Sequence, residues 1–354
     1  MNNAVAWEYP WLQNVLESLK RSHQSSALAH AYILGGTRGL GKKQIAIEIA
    51  AFLTCVKPST EGSCGACKSC QLNATANHPD VLYLAPKEPG KALTVDQIRR
   101  LSDYVHVSSH AGGARVAVLA EADKMNSSAS NALLKTLEEP HESTYLFLVT
   151  DSPGLLSPTI RSRCQRLTLP TPSLAVSLAW MRTGKGNEFD EQHAISCLKA
   201  SGGSPLLAME MLLDESLPNR QALEREFIAC LTGKSTPESL LAALSKSEPV
   251  TAIEQILSTT ALCAKFMLLS TTEANDTSSD SGGLAPSPIW SQFIDRVNTS
   301  DAEENARRRA LLGNRLVRLY DEIEKARRQL YSPSNPNSKL LLESLCWLTS
   351  RALK

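Results

Sequence analysis

Short apolar runs alternate with amphipathic stretches over the first 170 residues of the chain. The apolar runs have the length and composition of buried strands, and they lie at residues 31–34, 81–84, 116–120 and 145–150. Patterns typical of helices lie at residues 42–54, 94–106 and 127–139. Strands that alternate with helices indicate a parallel sheet covered on both faces, so this part of the chain is predicted to have an α/β fold.

Local signals define one end of each of two predicted helices. Thr94 and Gln97 have the spacing of a capping box, which predicts that a helix begins there. Pro140 ends the helix predicted over residues 127–139, because proline lacks a backbone N–H and clashes with the preceding turn. Both segments are therefore expected to be separate helices between strands.

After residue 170 the pattern changes to helical periodicity without a convincing strand. Residues 173–212 have the pattern of a small helical unit, and longer amphipathic stretches follow at 239–244, 252–269 and 301–330. The segment 271–288 is rich in Ser, Gly, Asp and Pro, which predicts a mobile loop. We therefore expect an α/β domain over 1–170, a small helical domain over 171–212 and a larger all-α domain over 213–354.

The charge balance of the chain excludes a strongly basic or acidic protein. Its 354 residues include 37 Lys and Arg against 36 Asp and Glu. A nearly neutral chain gives no electrostatic argument for a dedicated nucleic-acid binder, so any contact with DNA is expected to be local. No run of 18 apolar residues occurs, and the first residues do not resemble a signal peptide. A cytoplasmic protein is expected.

A glycine-rich run between a predicted strand and a predicted helix has the context of a P-loop. It reads Gly-Thr-Arg-Gly-Leu-Gly-Lys-Lys over residues 36–43, with the glycines at Gly36, Gly39 and Gly41. Backbone N–H groups at such a helix start bind phosphates, and Lys42 would contact the terminal phosphate. A glycine turn without any ligand is the alternative interpretation of the same run.

The ligands that Mg²⁺ requires at a P-loop are missing. The position after the lysine normally supplies a Ser or Thr hydroxyl, but this chain has Lys43. The acidic element after the strand at 116–120 keeps Glu121, whereas the metal-binding Asp position is occupied by Ala120. Neutralisation by the metal supplies much of phosphoryl-transfer catalysis, so ATP is not expected to be hydrolysed by this chain. Glu121 could instead simply cap the next helix.

Four of the nine cysteines lie close together, at Cys55, Cys64, Cys67 and Cys70. Two overlapping C-x-x-C turns with one further thiol suit a closed tetrahedral Zn²⁺ site, which is structural rather than catalytic. An iron–sulfur cluster and free thiols are the alternatives, although the C-x3-C-P step typical of bacterial ferredoxins is absent. His78 could replace one thiol as a ligand, or could be an ordinary loop residue before Pro79.

An arginine-rich segment follows the last predicted strand, with Arg161, Arg163 and Arg166 within six residues. A guanidinium stays charged and presents a planar fork of donors, which suits a phosphate reached across a subunit boundary. Exposed arginines that form weak surface ion pairs are the alternative.

The combination of these motifs resembles the AAA+ subunits of DNA clamp loaders. The matching runs are Leu-Ala-His-Ala-Tyr-Ile-Leu at 28–34, the cysteine cluster within 63–70, Asn-Ala-Leu-Leu-Lys-Thr-Leu-Glu-Glu-Pro at 131–140 and Ser-Arg-Cys at 162–164. The run at 131–140 is highly specific for this family. The resemblance is strong over residues 5–170 and weaker beyond, where Asn335-Pro336 and residues 340–343 are similar to the family's C-terminal pattern.

The resemblance implies an AAA+ P-loop domain with a zinc-binding insertion at 55–70, a small helical lid and a helical collar that assembles a pentamer. Active ATPases of the family carry an arginine in the lid where this chain has Leu206, a third departure from an active site. Thr150 matches the position called sensor 1. The three departures favour a subunit without ATPase activity over a motor subunit.

The resemblance also implies a role and partners. Arg163 would complete the ATP site of a neighbouring subunit as an arginine finger. The partners would be the gamma/tau and delta subunits in a hetero-pentamer, the sliding clamp, and primer–template DNA through the complex, as part of the DNA polymerase III holoenzyme. Two alternatives remain: an active ATPase motor of the gamma/tau type that tolerates Lys43 and Ala120, and a stand-alone zinc-containing adaptor.

Overall fold

Five parallel strands form the sheet of the first part of the chain. They are β1 (Ala31–Gly35), β2 (Val81–Leu84), β3 (Arg115–Leu119), β4 (Thr144–Thr150) and β5 (Gln165–Thr168), in the spatial order β2-β3-β4-β1-β5. The four strands predicted from apolar runs are confirmed to within a residue. Strand β5 was not predicted, because its polar, exposed residues lack the apolar pattern of a buried strand.

The structure is a computed structural model, which describes residues 9–87, 91–109, 113–185, 189–214, 216–269, 293, 302–330 and 337–353. The predicted mobile loop at 271–288 and the pair Asn335-Pro336 lie outside these residues. The chain divides into two compact units, Met1–Glu188 with Ser204–Leu207 and Phe189–Gly203 with Ala208–Lys354. The expected division into three domains at 170 and 212 is not tested by this and stays a prediction.

Helices of the first unit cover both faces of the sheet. They are α1 (Gln13–Gln24), α2 (Lys42–Thr54), α3 (Lys68–Ala74), α4 (Val95–Val105), α5 (Ser127–Glu138), α6 (Pro158–Arg163) and α7 (Leu174–Lys185). The capping box predicted at the start of α4 is present, since Thr94 accepts from the backbone of Gln97 and Gln97 accepts from the backbone of Thr94. Asn126 caps α5 by accepting from Ala129. Each cap satisfies a free backbone N–H of the first turn and so fixes where its helix begins.

Successive side chains of the strands point alternately into two separate apolar layers, one on each face of the sheet. Tyr32 and Leu34 of β1 pack in the layer with α1 and α2, whereas Ala31 and Ile33 pack in the layer with α4, α5 and α6. Strands β3 and β4 alternate in the same way. Since successive side chains of a strand point to opposite faces, this pattern requires helices on both sides. The predicted α/β fold is confirmed.

The register brings the loops after three strands to the same edge of the sheet. Gly35, the last residue of β1, pairs with Thr150 at the end of β4, and Leu119 of β3 pairs with Leu148 of β4. The carboxyl ends of parallel strands share one edge, which is where ligands bind in open α/β sheets. The run 36–43 and Glu121 therefore start from this edge.

The second unit contains helices only, among the residues that the structure describes. They are α8 (Glu191–Ala200), the C-terminal part of α9 (Pro205–Asp214), α10 (Leu217–Leu231), α11 (Pro237–Leu244), α12 (Pro249–Leu269), α13 (Ala302–Leu330) and α14 (Ser338–Arg351). Helices α10 to α14 share one apolar core that includes Phe227, Ile256 and Leu316. No helix within the described ranges is long and apolar enough to cross a bilayer.

A buried ion pair joins β3 to the segment before β2. The Nη2 atom of Arg115 lies 3.4 Å from Oδ1 of Asp80, and the two side chains are 4% and 1% exposed. Nη1 of Arg115 also donates to the carbonyl oxygens of Tyr104 and Val107. The guanidinium therefore links the end of α4 to two neighbouring strands.

We expect Arg115→Ala to lower the free energy of unfolding by about 3–5 kcal/mol, because it removes the guanidinium that is paired with the buried Asp80 carboxylate. Urea denaturation followed by circular dichroism measures the change. Arg99→Ala is the matched control, since Arg99 forms an exposed ion pair with Asp96 and should change stability by less than about 1 kcal/mol. Equal stability of the two variants would contradict this account of Arg115.

Candidate nucleotide-binding loop and cysteine cluster

The glycine-rich run connects β1 to α2 in a conformation that depends on its glycines. Gly36, Gly39 and Gly41 have φ values of 145°, 83° and 90°. Side chains disfavour this region of backbone space, so glycine is the residue that adopts it without strain. Gly41 is the residue immediately before α2, so the loop leads directly into the helix N-terminus. The backbone thus has the course expected of a phosphate-binding loop.

The ammonium group of Lys42 is bound entirely within the chain. It donates to the carbonyl oxygens of Gly36 at 2.7 Å and Thr37 at 2.6 Å, and it lies 2.7 Å from Oδ1 of Asp151. A lysine ammonium has three N–H donors, and these contacts account for all three. The carboxylate of Asp151 thus supplies the anionic oxygen that a terminal phosphate would otherwise present to this lysine.

Neither position expected to bind Mg²⁺ offers an oxygen ligand. The Nζ atom of Lys43 lies 4.6 Å from the ring centroid of Tyr83, a cation–π contact on β2. Ala120 is buried and carries no carboxylate. Glu121 has a left-handed backbone with φ 52° and forms an ion pair with Lys124. The carboxylates that a cation could meet at this edge are already bound to other groups, since Glu121 pairs with Lys124, Asp151 pairs with Lys42 and Asp123 accepts from Thr150.

Thr150 directs its hydroxyl to the acidic element after β3. Its Oγ1 donates to Oδ1 of Asp123 at 2.6 Å and accepts from the backbone N–H of Ser152 at 3.0 Å. The residue is 1% exposed. The hydroxyl therefore ties the end of β4 to the end of β3, which is a structural contact at the position expected of a nucleotide sensor.

Residues 204–207, which belong to the first unit, pack directly on the glycine-rich loop. The backbone N–H of Leu206 donates to the carbonyl oxygen of Gly39 at 3.2 Å, and the hydroxyls of Thr37 and Ser204 are 3.2 Å apart. A Cβ atom at Gly39 would lie 2.8 Å from the backbone nitrogen of Leu207. Leu206, where the resemblance implies a lost arginine, thus forms part of the cover of the loop.

Three aromatic side chains lie beside the same loop, and the sequence analysis did not identify them. The rings of Tyr9, Trp11 and Trp180 have centroids 5.4–5.6 Å apart. The indole N–H of Trp11 donates to the carbonyl oxygen of Leu40 at 2.9 Å. Tyr9 and Trp11 are far from Trp180 along the chain, and hydrophobic periodicity does not predict contacts between such distant residues.

The four clustered cysteines converge on one point. Their Sγ atoms all lie within 4.8 Å of one another, with separations of 3.5 Å for Cys67–Cys70, 3.6 Å for Cys55–Cys70, 3.9 Å for Cys64–Cys70 and 4.0 Å for Cys55–Cys67. Ligands of a tetrahedral zinc ion are about 3.8 Å apart, which follows from Zn–S bonds of about 2.3 Å. Disulfides need about 2.05 Å. The four thiols could therefore hold a metal ion.

The backbone supports thiolates at this cluster. The N–H of Cys64 donates to Sγ of Cys55 at 3.2 Å, and the N–H of Cys70 donates to Sγ of Cys67 at 3.5 Å. The latter bond is the main reason that the pKa of Cys67 is lowered to about 6. Burial raises the pKa of Cys70 to about 12, so this thiol needs a cation to lose its proton near neutral pH.

His78 is not placed as a metal ligand, because both of its ring nitrogens have other partners. Nδ1 accepts from the backbone N–H of Asp80 at 3.0 Å, which leaves the proton of the neutral ring on Nε2. Nε2 therefore donates to Ser69 Oγ at 2.6 Å, and Ser69 donates to the carbonyl oxygen of Thr54. Burial lowers the pKa of His78, which favours this neutral form. The alternative of His78 as a ligand is wrong for this geometry.

Arg163 is the last residue of α6. In sequence it is far from the glycine-rich loop and from the cysteine cluster. Its side chain is 36% exposed and forms an ion pair with Glu138. The structure thus gathers the predicted loop residues at the carboxyl edge of the sheet and the four cysteines in one cluster. Arg163 lies outside both groups.

Comparison with known proteins identifies a family model and several relatives that are similar to this chain. The family model described as "DNA polymerase III, delta subunit" matches residues 11–173. DNA polymerase III subunit delta' of Pseudomonas aeruginosa is 43% identical over 203 residues, which cover 57% of this chain and 61% of that protein. The same subunit of Haemophilus influenzae is 32% identical over 260 residues, which cover 73% of this chain and 78% of that protein.

A solved structure is also similar over most of the chain. It is a DNA polymerase III gamma subunit-related protein from Thermotoga maritima, with 19% identity, a TM-score of 0.41 and coverage of 96% of this chain and 99% of that one. With this TM-score, the likeness supports no argument about function. The alignments with the delta' subunits of Pseudomonas aeruginosa and Haemophilus influenzae cover 61% and 78% of those proteins. The chain belongs to the family of DNA polymerase III delta' subunits.

Proposed function

We propose that this chain is a clamp-loader subunit that does not hydrolyse ATP and that serves a neighbouring ATPase subunit instead. The observation that carries this proposal is the set of bonds around Lys42, whose three donors are taken by Gly36, Thr37 and Asp151. A nucleotide would have to displace a charged partner of this lysine. It would gain little in return, because Lys43 and Ala120 stand where the oxygen ligands of a phosphate-neutralising Mg²⁺ are expected.

Two further features support the proposal that the glycine-rich loop of this chain does not take part in ATP hydrolysis. Lys43 and Ala120 replace both of the oxygen ligands that Mg²⁺ requires, and phosphoryl transfer depends strongly on that metal. Residues 204–207 and Trp11 cover the loop with backbone and indole hydrogen bonds. These contacts favour a loop retained as a structural element. They weigh against the alternative of an active motor of the gamma/tau type.

In the proposed mechanism Arg163 acts on ATP held by another subunit. A guanidinium at the exposed end of α6 can reach across a subunit boundary, where it would stabilise charge on the transferred phosphate. The partners in this proposal are the gamma/tau and delta subunits, the sliding clamp and, through the complex, primer–template DNA in the cytoplasm. The lid and collar roles of the helical parts belong to the same proposal.

The last helix supports a role in subunit contacts. On α14, Leu340, Trp347 and Leu348 are 61%, 50% and 39% exposed. Large apolar side chains at the surface of a helix are typical of an interface with another protein. An assembled complex would bury them, which agrees with a collar and disfavours the stand-alone adaptor.

We propose that the four cysteines bind structural zinc. The sulfur separations fit a tetrahedral ion with no open position. A metal here would fix the segment between α2 and α3, which contains few apolar residues of its own. Cys55, Cys64, Cys67 and Cys70 would be the ligands, and a zinc ion with all four positions filled would have no catalytic role.

Purified protein should release no phosphate from ATP above background in the presence of Mg²⁺, because the metal ligands are absent. A phosphate-release assay with and without Mg²⁺ tests this. Glu121→Gln and Lys42→Ala should leave the background unchanged. Turnover that requires Mg²⁺ and disappears in both variants would instead establish the motor alternative.

Metal analysis should find about one zinc per chain, and Cys67→Ser should lower that content strongly. Zinc contributes about 10–16 kcal/mol to the folding of isolated finger peptides, so chelation should also lower the melting temperature of the first unit. Cys197→Ser, the same change outside the cluster, is the control and should retain the metal. Iron, or no metal in the unmodified protein, would contradict the proposal.

Arg163→Ala should leave assembly with the ATPase subunits intact but reduce turnover at the adjacent site on the order of 10³-fold. Size-exclusion chromatography measures assembly, and steady-state ATPase and clamp-loading assays measure activity. Arg166→Ala removes an exposed arginine three residues away and should be neutral. Unchanged rates in the assembled Arg163→Ala complex would refute the arginine-finger role.

A further inference from the structure

Arg163 is held against its own chain by a carboxylate. Its Nη2 atom lies 2.7 Å from Oε1 of Glu138, while Nη1 donates to the carbonyl oxygen of Thr159 at 3.1 Å and to Ser162 Oγ at 3.4 Å. The side chains of Arg163 and Glu138 are 36% and 49% exposed. The guanidinium thus has a defined orientation and remains within reach of another molecule.

The position of Glu138 is unfavourable for its own helix. Glu138 is the last residue of α5, and Arg163 is the last residue of α6. The C-terminal end of a helix carries a partial negative charge, which favours an arginine and disfavours a glutamate. The contact with Arg163 offsets this repulsion. Pairing with Arg163, rather than stability of α5, therefore accounts for a carboxylate at residue 138.

A phosphate and the Glu138 carboxylate would compete for the same cation. A guanidinium binds either anion through one planar fork of N–H donors. A phosphate bound to Arg163 would lie close to Glu138, and like charges at such distances repel each other. Simultaneous binding is therefore unfavourable, and an arriving phosphate should displace the carboxylate.

We propose that Glu138 is the resting counter-ion of Arg163 and that the terminal phosphate of ATP on a neighbouring subunit replaces it. The exchange forms and breaks no covalent bond, since it trades an ion pair within the chain for one between subunits. Glu138 is then a positioning residue that sets the ATP concentration at which the adjacent site reaches half-maximal turnover. This inference rests on the proposed role of Arg163 and extends it.

Glu138→Gln should lower the ATP concentration for half-maximal turnover of the assembled complex by about 2- to 5-fold, as expected for the loss of a partly exposed ion pair. The maximal rate should stay the same, because Arg163 itself is retained. The measurement is steady-state ATPase of the complex over a range of ATP concentrations. Glu139→Gln, the same charge change one residue later, is the matched control and should match the unmodified complex.

The double variant Glu138→Gln/Arg163→Ala separates the two claims. If the inference holds, it behaves like Arg163→Ala alone, because the carboxylate acts only through the arginine. A slowing by Arg163→Ala without any effect of Glu138→Gln would overturn the role of Glu138 and leave the arginine finger standing. A higher half-maximal ATP concentration in Glu138→Gln would also overturn it. No effect of Arg163→Ala would overturn the finger itself.

Discussion

The ammonium group of Lys42 holds the glycine-rich loop of this protein together. In a working P-loop this group is available to phosphate, whereas here it joins two carbonyl oxygens of the loop to the carboxylate of Asp151. A buried ammonium needs such partners, since an unpaired charge in the interior is costly. The loop that would bind a nucleotide is therefore stabilised by its own lysine.

Other side chains at the carboxyl edge of the sheet are likewise bound by partners within the chain. Thr150 bonds to Asp123 where a sensor would meet phosphate, Lys43 lies on the ring of Tyr83, and Glu121 pairs with Lys124. Parallel register brings these groups together whatever they do, because the ends of β1, β3 and β4 share that edge. Side chains at the positions that the resemblance assigns to nucleotide and metal binding thus contact neighbouring loops.

Much of the fold followed from the sequence because buried strands and capped helices leave local signals. Apolar runs identified β1 to β4, and the spacing of Thr94 and Gln97 located the start of α4. Edge strand β5 has no such signal. The cysteine spacing identified the cluster, but neither the partner of Lys42 nor that of His78 could be predicted. These depend on residues brought close only by folding.

In the proposed function, the loss of the metal ligands and the retention of Arg163 move the chemistry from the glycine-rich loop of this chain to the ATP site of a neighbouring subunit. Helix α5 begins just after the acidic element at Glu121 and ends at Glu138, beside Arg163. Under that proposal, this chain positions no phosphate of its own at the N-terminal end of α5. The C-terminal end of α5 forms the ion pair with Arg163, whose guanidinium would bind the phosphate of a neighbouring subunit under the same proposal. A guanidinium must be held in place to stabilise a transition state that forms on another subunit. The proposed role of Arg163 therefore depends on the ion pair at the end of α5 and on the sheet behind it.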